Sequence, residues 1–207
     1  MTAITRFTMV ALLTVFSNAC GPELVGGGQR GSVKTTMTDE PGAESASASR
    51  SLAAVQSPGS AALQQVVELE GFITADVAVA VITGAGGAVE VTTGAVRRTV
   101  GIGEHDLAVL DSTMIEADVY TGVRLTFTRV EATLSAGVGL PLTIRVDLSE
   151  GPLVVEREVA VAVQKDETTT VQLDLNGGAW IALADPLTGL VGREAFAAAL
   201  TVEAVGP

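Results

Sequence analysis

The chain is poor in the residues that usually announce chemistry. Its 207 residues hold one cysteine and one histidine, and aromatics make up 3%. A lone cysteine excludes an internal disulfide framework, and a lone histidine with no cysteine beyond position 20 falls short of the three or four ligands of a zinc site. No apolar run approaches the roughly 20 residues that span a bilayer as a helix. Cations are scarce as well, with 12 Lys plus Arg against 24 Asp plus Glu. That balance argues against a nucleic-acid partner and against electrostatic attachment to anionic lipid, both of which need basic patches.

What is present begins with the position of the cysteine. Arg6 supplies a positive start, residues 7–16 are apolar apart from Thr8 and Thr14, and Ser17-Asn18-Ala19 is a small or polar exit before Cys20. Ten apolar residues suit a cleaved export signal and are too few for an anchor. Ala19-Cys20 resembles the lipobox of bacterial lipoproteins, although Ser17 stands where Leu is usual. The resemblance implies a signal peptide over residues 1–19 and diacylation of the Cys20 thiol, the one site residue assigned here. The alternative is ordinary cleavage after Ser17-x-Ala19, giving a secreted or periplasmic soluble protein. Two acyl chains anchor stably where one binds only marginally. Gly21 is not the aspartate that typically holds lipoproteins at the inner membrane, so the outer membrane is the expected destination. Cleavage before Cys20 removes Arg6 and leaves 11 cations against 24 anions, a net charge of −13.

Residues 21–65 contain seven Gly, seven Ser, seven Ala, three Pro and three Thr, or 27 of 45, and no aromatic residue. Such a composition buries too little apolar surface to offset its ordering entropy. Residues 20–65 are therefore expected to be a lipidated, disordered tether, with transient helical turns at most near 52–55 and 61–65.

Residues 66–207, 142 in number, suffice for one hydrophobic core. Runs rich in Val, Ile, Thr and Leu at 75–82, 88–96, 123–134, 140–148, 153–163 and 168–175 read as strands. Leu142, Ile144, Val146 and Leu148 alternate with Thr143, Arg145 and Asp147, and Val171, Leu173 and Leu175 with Gln172, Asp174 and Asn176. Val159, Val161 and Val163 alternate with Glu158, Ala160 and Ala162 in the same way. A strand wet on one face needs a second layer over the other. The expected fold is all-β, an antiparallel β-sandwich. Gly84-Ala85-Gly86-Gly87 and Asn176-Gly177-Gly178 are expected hairpin turns, and Lys165-Asp166-Glu167 a polar tip. The first glycine cluster is followed by a valine-rich strand, without the helix start and lysine of a phosphate loop. Residues 104–110 and 192–200 have helical character, and 201–205 returns to strand.

Asp106-Leu107 with Leu110, Tyr120-Thr121 with Val123-Arg124-Leu125, and Val171 with Leu173-Asp174-Leu175 resemble strand motifs of a domain-of-unknown-function family common in bacterial lipoproteins. Over roughly residues 75–205 the resemblance implies an immunoglobulin-like or transthyretin-like sandwich, and it implies no activity. Asp118 stands where that family often has Gly, and its early D-A-P signature is absent around Ala75-Asp76.

No catalytic constellation stands out. His105 lies between Glu104 and Asp106, but consecutive side chains project in different directions and do not form a relay. The acidic pairs Glu116/Asp118, Asp147/Glu150 and Asp166/Glu167 lack calcium-loop spacing and read as solvated turn charge. Trp180 reads as a core plug and Tyr120 as a corner residue whose hydroxyl ties a loop. Arg124, Arg129 and Arg145 read as surface ion-pair partners. No catalytic residue, metal or cofactor is assigned. The expected function is a non-enzymatic envelope lipoprotein whose sandwich binds a protein or glycan partner. A spacer lipoprotein without a ligand comes second, and a carboxylate-based glycosidase third.

Overall fold

A computed structural model of the chain describes residues 28–39, 70–104, 106–135 and 141–206. The expected signal peptide, Cys20, His105 and most of the expected tether lie outside the described residues. Among the described residues eleven strands and two short helices follow one another: β1 (Arg30–Thr38), β2 (Gly71–Ile82), β3 (Ala88–Glu90), β4 (Val96–Gly101), β5 (Ala108–Glu116), β6 (Val119–Leu134), β7 (Leu142–Val146), β8 (Leu153–Ala162), β9 (Thr168–Asp174), α1 (Gly177–Ile181), β10 (Leu190–Val191), α2 (Arg193–Ala199) and β11 (Thr201–Val205). They form the expected all-β sandwich. A four-stranded sheet ordered β11-β9-β1-β5 faces a seven-stranded one ordered β10-β7-β6-β2-β3, in which β4 also pairs with β2 and β8 with β6.

The larger sheet is organised by its two longest strands. β2 alternates, burying Ile73, Ala75, Val77, Val79 and Val81, with the small Ala80 also covered near its end. Its partner β6 buries Val123, Leu125 and Phe127 and then Val130, Ala132 and Leu134, a change of phase. The register shift opposite Asp76/Val77 absorbs it, leaving Thr128 as the extra residue. Without that bulge, half of β6 would turn its apolar side chains to water. Phe127, Phe196 and Trp180 meet edge to face, with ring centroids 5.1 and 5.4 Å apart, and all three are fully buried. Trp180 is the core plug that its sequence suggested.

Two arginines close the sides of the sandwich. Arg98 of β4 donates from Nε to the Val109 carbonyl (2.6 Å) and from Nη2 to the Leu110 carbonyl (3.3 Å) on β5, which belongs to the other sheet. Arg157 of β8 reaches the Ala197 and Leu200 carbonyls at the end of α2. Helix C-termini leave such carbonyls without intrahelical donors, and a guanidinium satisfies them with favourable charge.

Five expectations are corrected. Residues 30–38, counted with the tether, form β1 in the middle of the smaller sheet, between β9 and β5. Val33 and Met37 are fully buried there, and β-branched Thr35, Thr36 and Thr38 are buried beside them. The sandwich is mixed rather than purely antiparallel, because β1 runs parallel to β9 and β10 parallel to β7. No hairpin joins either pair, so connectivity does not impose an antiparallel sense. Residues 88–96 are not one strand. The Thr92 hydroxyl accepts the Val79 N–H at 2.9 Å, the Val79 carbonyl takes the N–H groups of Val91 and Thr92, and the chain turns at Gly94 before β4. Most of 104–110 is not helical, since β5 begins at Ala108 in register with Met37. Asn176 is not in a hairpin turn, but sits at φ 46° as the N-cap of α1.

Candidate binding surface

Strand direction divides the loops between two ends. At the entry end, where β1 begins, the Ala117 N–H bonds the Gln29 carbonyl (2.7 Å) and the Asp166 N–H bonds the Arg30 carbonyl (2.9 Å). The β5–β6 turn, the 165–167 tip and the β2–β3 hairpin gather here. That hairpin is as expected, with Gly86 at φ 83° and the Thr83 N–H on the Gly87 carbonyl at 2.8 Å. The tip joins β8 to β9 across the two sheets, with Asp166 at φ 59°. Tyr120 is the corner tie foreseen for it, donating its hydroxyl to the Glu116 carbonyl at 3.0 Å. Burial, with the nearby Asp118 and Glu116 charges, pushes its phenol pKa up.

At the far end lie the finish of β1, the start of β2, the β4–β5 loop, the end of β6 with the start of β7, α1 and the loop before β10. The hub is Asp39, which is 2% exposed. Its carboxylate accepts the Gly103 N–H at 2.9 Å and the Gly177 N–H, so one side chain ties β1 to the β4–β5 loop and to α1. Gly177 has to be glycine for this. A Cβ there would sit 2.6 Å from Ile73 Cδ1 and 3.0 Å from both Asp39 oxygens. Burial raises the Asp39 pKa, and the two N–H donors pull it the other way.

The far end also shows apolar side chains to water. Phe72 (45% exposed), Leu107 (56%), Leu142 (52%), Leu183 (63%) and Leu187 (94%) all lie on its loops or strand ends, while the large exposed hydrophobics of the entry end among the described residues are Met114, Val119 and, at the finish of β11, Val205. Leu142 was expected inside with Ile144, but β7 starts at the rim and leaves it half in water. Leu187 is held out by a built turn. Asp185 Oδ1 accepts the N–H groups of Leu187 (2.9 Å) and Thr188 (2.8 Å) and the Thr188 hydroxyl (3.0 Å). The Gly189 N–H closes on the Asp185 carbonyl at 2.8 Å. The same donors hold the Asp185 pKa below its ordinary value. Single exposed leucines are unremarkable; five large apolar groups at one end, one of them on a rigid turn, form a surface suited to contact. Glu70, Glu104, Asp106 and Asp185 border it, and the loops 99–107, 133–144 and 174–190 contain no Lys or Arg. The entry end carries both signs, with Arg30 and Lys165 beside Glu116, Asp118, Asp166 and Glu167.

Of the acids named in pairs from sequence, Asp118 and Asp147 hold their own turns. Asp118 Oδ1 accepts the Val119 N–H (2.7 Å), and Asp147 Oδ1 the Ser149 N–H (3.0 Å). Glu150 pairs with Arg193 at 3.2 Å. Asp147, Glu150 and Glu194 do share an open pocket of about 250 Å³ with Ser149, Gly192 and Arg193. Ser149 holds the Asp147 pKa down, the opposite of what a general acid needs. Among the described residues no three His, Cys, Asp or Glu side chains converge to hold a metal ion.

Arg124 pairs with Glu156 (2.7 Å), Arg145 with Glu131 (2.8 Å) and Arg129 with Glu131, as expected. On the same outer face of the larger sheet Arg97 grips Asp76 with two bonds of 2.6 and 2.7 Å. Sequence reasoning missed Asp39, Arg98, Arg157 and the whole far-end apolar set. The repeated acid-plus-leucine pattern in Asp106-Leu107 and in Asp185-Pro-Leu-Thr-Gly-Leu was the available signal. No helix among the described residues is long and apolar enough to cross a membrane. Compared with protein-family models, curated proteins and solved structures, the chain matches none.

Proposed function

We propose that the protein is an exported bacterial lipoprotein, acylated at Cys20 and anchored in the outer membrane, whose sandwich holds its far end against a protein partner and performs no chemistry itself. The observation that carries the binding role is the set of exposed Phe72, Leu107, Leu142, Leu183 and Leu187 on one end, with Leu187 fixed in water by the Asp185 turn. Four acids and no cation on the neighbouring loops favour a partner surface that is apolar and basic. A glycan partner is disfavoured because Phe127, Trp180 and Phe196 are consumed by the core, leaving Phe72 as the one aromatic ring at this end. The anchor is supported by the apolar run before Ala19-Cys20 and by the strand motifs that resemble the lipoprotein family.

The binding role is tested by co-purification from solubilised envelopes with the wild type and with Leu187→Asp. A stoichiometric protein retained by the first and lost from the second, with an unchanged melting temperature, is the expected result. Equal retention by both sinks the role of this end. The anchor is tested separately, since Cys20→Ala is expected to move the protein from the detergent phase to the aqueous phase.

A further inference from the structure

Placing β1 in the sandwich changes how far an anchored domain can stray from its membrane. A tether of 45 residues would let the body take any orientation. With Arg30–Thr38 built into the smaller sheet, only seven residues lie between Cys20 and Gly28. Eight Cα-to-Cα steps at about 3.3–3.6 Å reach at most about 29 Å. That leash is attached to one defined end, because the Gln29 and Arg30 carbonyls are bonded to Ala117 and Asp166.

We propose that the entry end is the bilayer-facing end and that the far end, with its exposed leucines, is held away from the lipid. This rests on acylation of Cys20. β1 leads away from the anchor, and its residues 30–37 rise by about 23 Å at the strand spacing. Leu107 lies beyond that rise, since the next residue, Ala108, is in register with Met37. The 165–167 tip is fixed at the beginning of the rise. The long connection between Asp39 and Glu70, 30 residues, both leaves and returns at the far end, so it adds no slack to the anchor. The consequence for function is directional. A partner that uses the far end approaches from the aqueous side of the membrane, and bringing that end down to the lipid requires the seven-residue connection to run near its full reach of about 29 Å, because the body itself rises about 23 Å.

The test uses the acylated full-length mature protein in vesicles of phosphatidylethanolamine and phosphatidylglycerol carrying a headgroup acceptor dye. Donor dyes are attached through Lys165→Cys or Leu107→Cys, both positions being exposed. Energy transfer from position 107 is expected to fall to less than about half that from position 165, given the rise of about 23 Å between the two levels. Inserting 20 Gly/Ser residues between Leu24 and Gly28 is expected to erase most of the difference. Equal transfer from both positions in the vesicle-bound wild-type linker overturns the orientation while leaving the anchor intact. A chain that mass spectrometry shows to be unacylated, and that stays off the vesicles, overturns the anchor and the orientation together.

Discussion

The two ends of the sandwich use the same turn hardware and expose different surfaces. Each is tied by one polar side chain to backbone: at the entry end the Tyr120 hydroxyl donates to Glu116, and at the far end the Asp39 carboxylate accepts from Gly103 and Gly177. Each has a loop fixed by a residue of positive φ, Asp166 at one and Gly189 at the other. The entry end ends in charges of both signs. The far end shows apolar groups with acids and no cation. Turn stability does not require that exposure, because the Asp185 bonds that hold the 185–190 turn involve backbone groups and Thr188 rather than the Leu187 side chain. The difference between the ends is therefore a matter of which side chains rigid loops carry.

The largest blow to this comparison comes from the far end's foundation. Trp180→Ala removes a fully buried ring packed on Phe196 and is expected to cost about 3–5 kcal/mol in denaturant unfolding. Asp39→Ala leaves two buried N–H groups without an acceptor and is expected to cost about 2–4 kcal/mol. Hydrogen exchange is expected to rise first at Gly103 and Gly177 in that variant, while Ala117 stays protected. Protection lost equally at both ends would show that the ends do not open independently.

Asp39 also predicts a pH signature. Its folded-state pKa is raised by burial, so the folded state holds the proton more tightly than the unfolded chain does. The stability it contributes is present below the unfolded value and is lost as pH rises through the folded one. Asp76, held low chiefly by Arg97, and Glu131, held low chiefly by Arg129, act in the opposite sense. Their contribution is present above the ordinary carboxylate pKa and is lost as pH falls through their folded values. Asp39→Asn is expected to remove the first trend and leave the second, as read from unfolding midpoints measured from pH 3 to 8.

Smaller effects sharpen the contrast. Tyr120→Phe at the entry end is expected to cost about 0.5–1.5 kcal/mol, one hydrogen bond's worth. Leu187→Ser is expected to change stability by no more than about 0.5 kcal/mol, because the residue is 94% exposed. A larger loss would mean that Leu187 packs on something in the folded chain.

Much of the strand architecture was legible because alternation is strong where one face is wet. The pattern at Leu173 and Leu175, and at Val159, Val161 and Val163, placed β9 and β8. β1 was hidden because seven productive residues, Ser32 to Thr38, lie in a Gly/Ser/Ala-rich window whose average composition reads as tether. Its own alternation of Val33, Thr35 and Met37 was masked by threonines that serve both faces. β5 was obscured by the Glu104-to-Leu107 stretch before it. The bulge at Thr128 reverses the phase of β6, which single-strand periodicity does not anticipate.

The far-end surface was less legible. Leu142 and Ile144 are alike in sequence, yet one is 52% exposed and the other 4%, because β7 starts at the rim. Phe72, Leu107 and Leu187 share one end of the sandwich only through topology. Asp39 gave no signal, since its donors Gly103 and Gly177 lie 64 and 138 residues away.

Site-specific photo-crosslinking in intact cells tests the central claim most directly, with the photoreactive group at position 187 in one strain and at position 166 in another. A discrete adduct to one protein from position 187, with none from position 166, is the predicted result. An adduct to that protein from position 166 alone, or from neither position, would contradict the assignment of the far end as the contact surface.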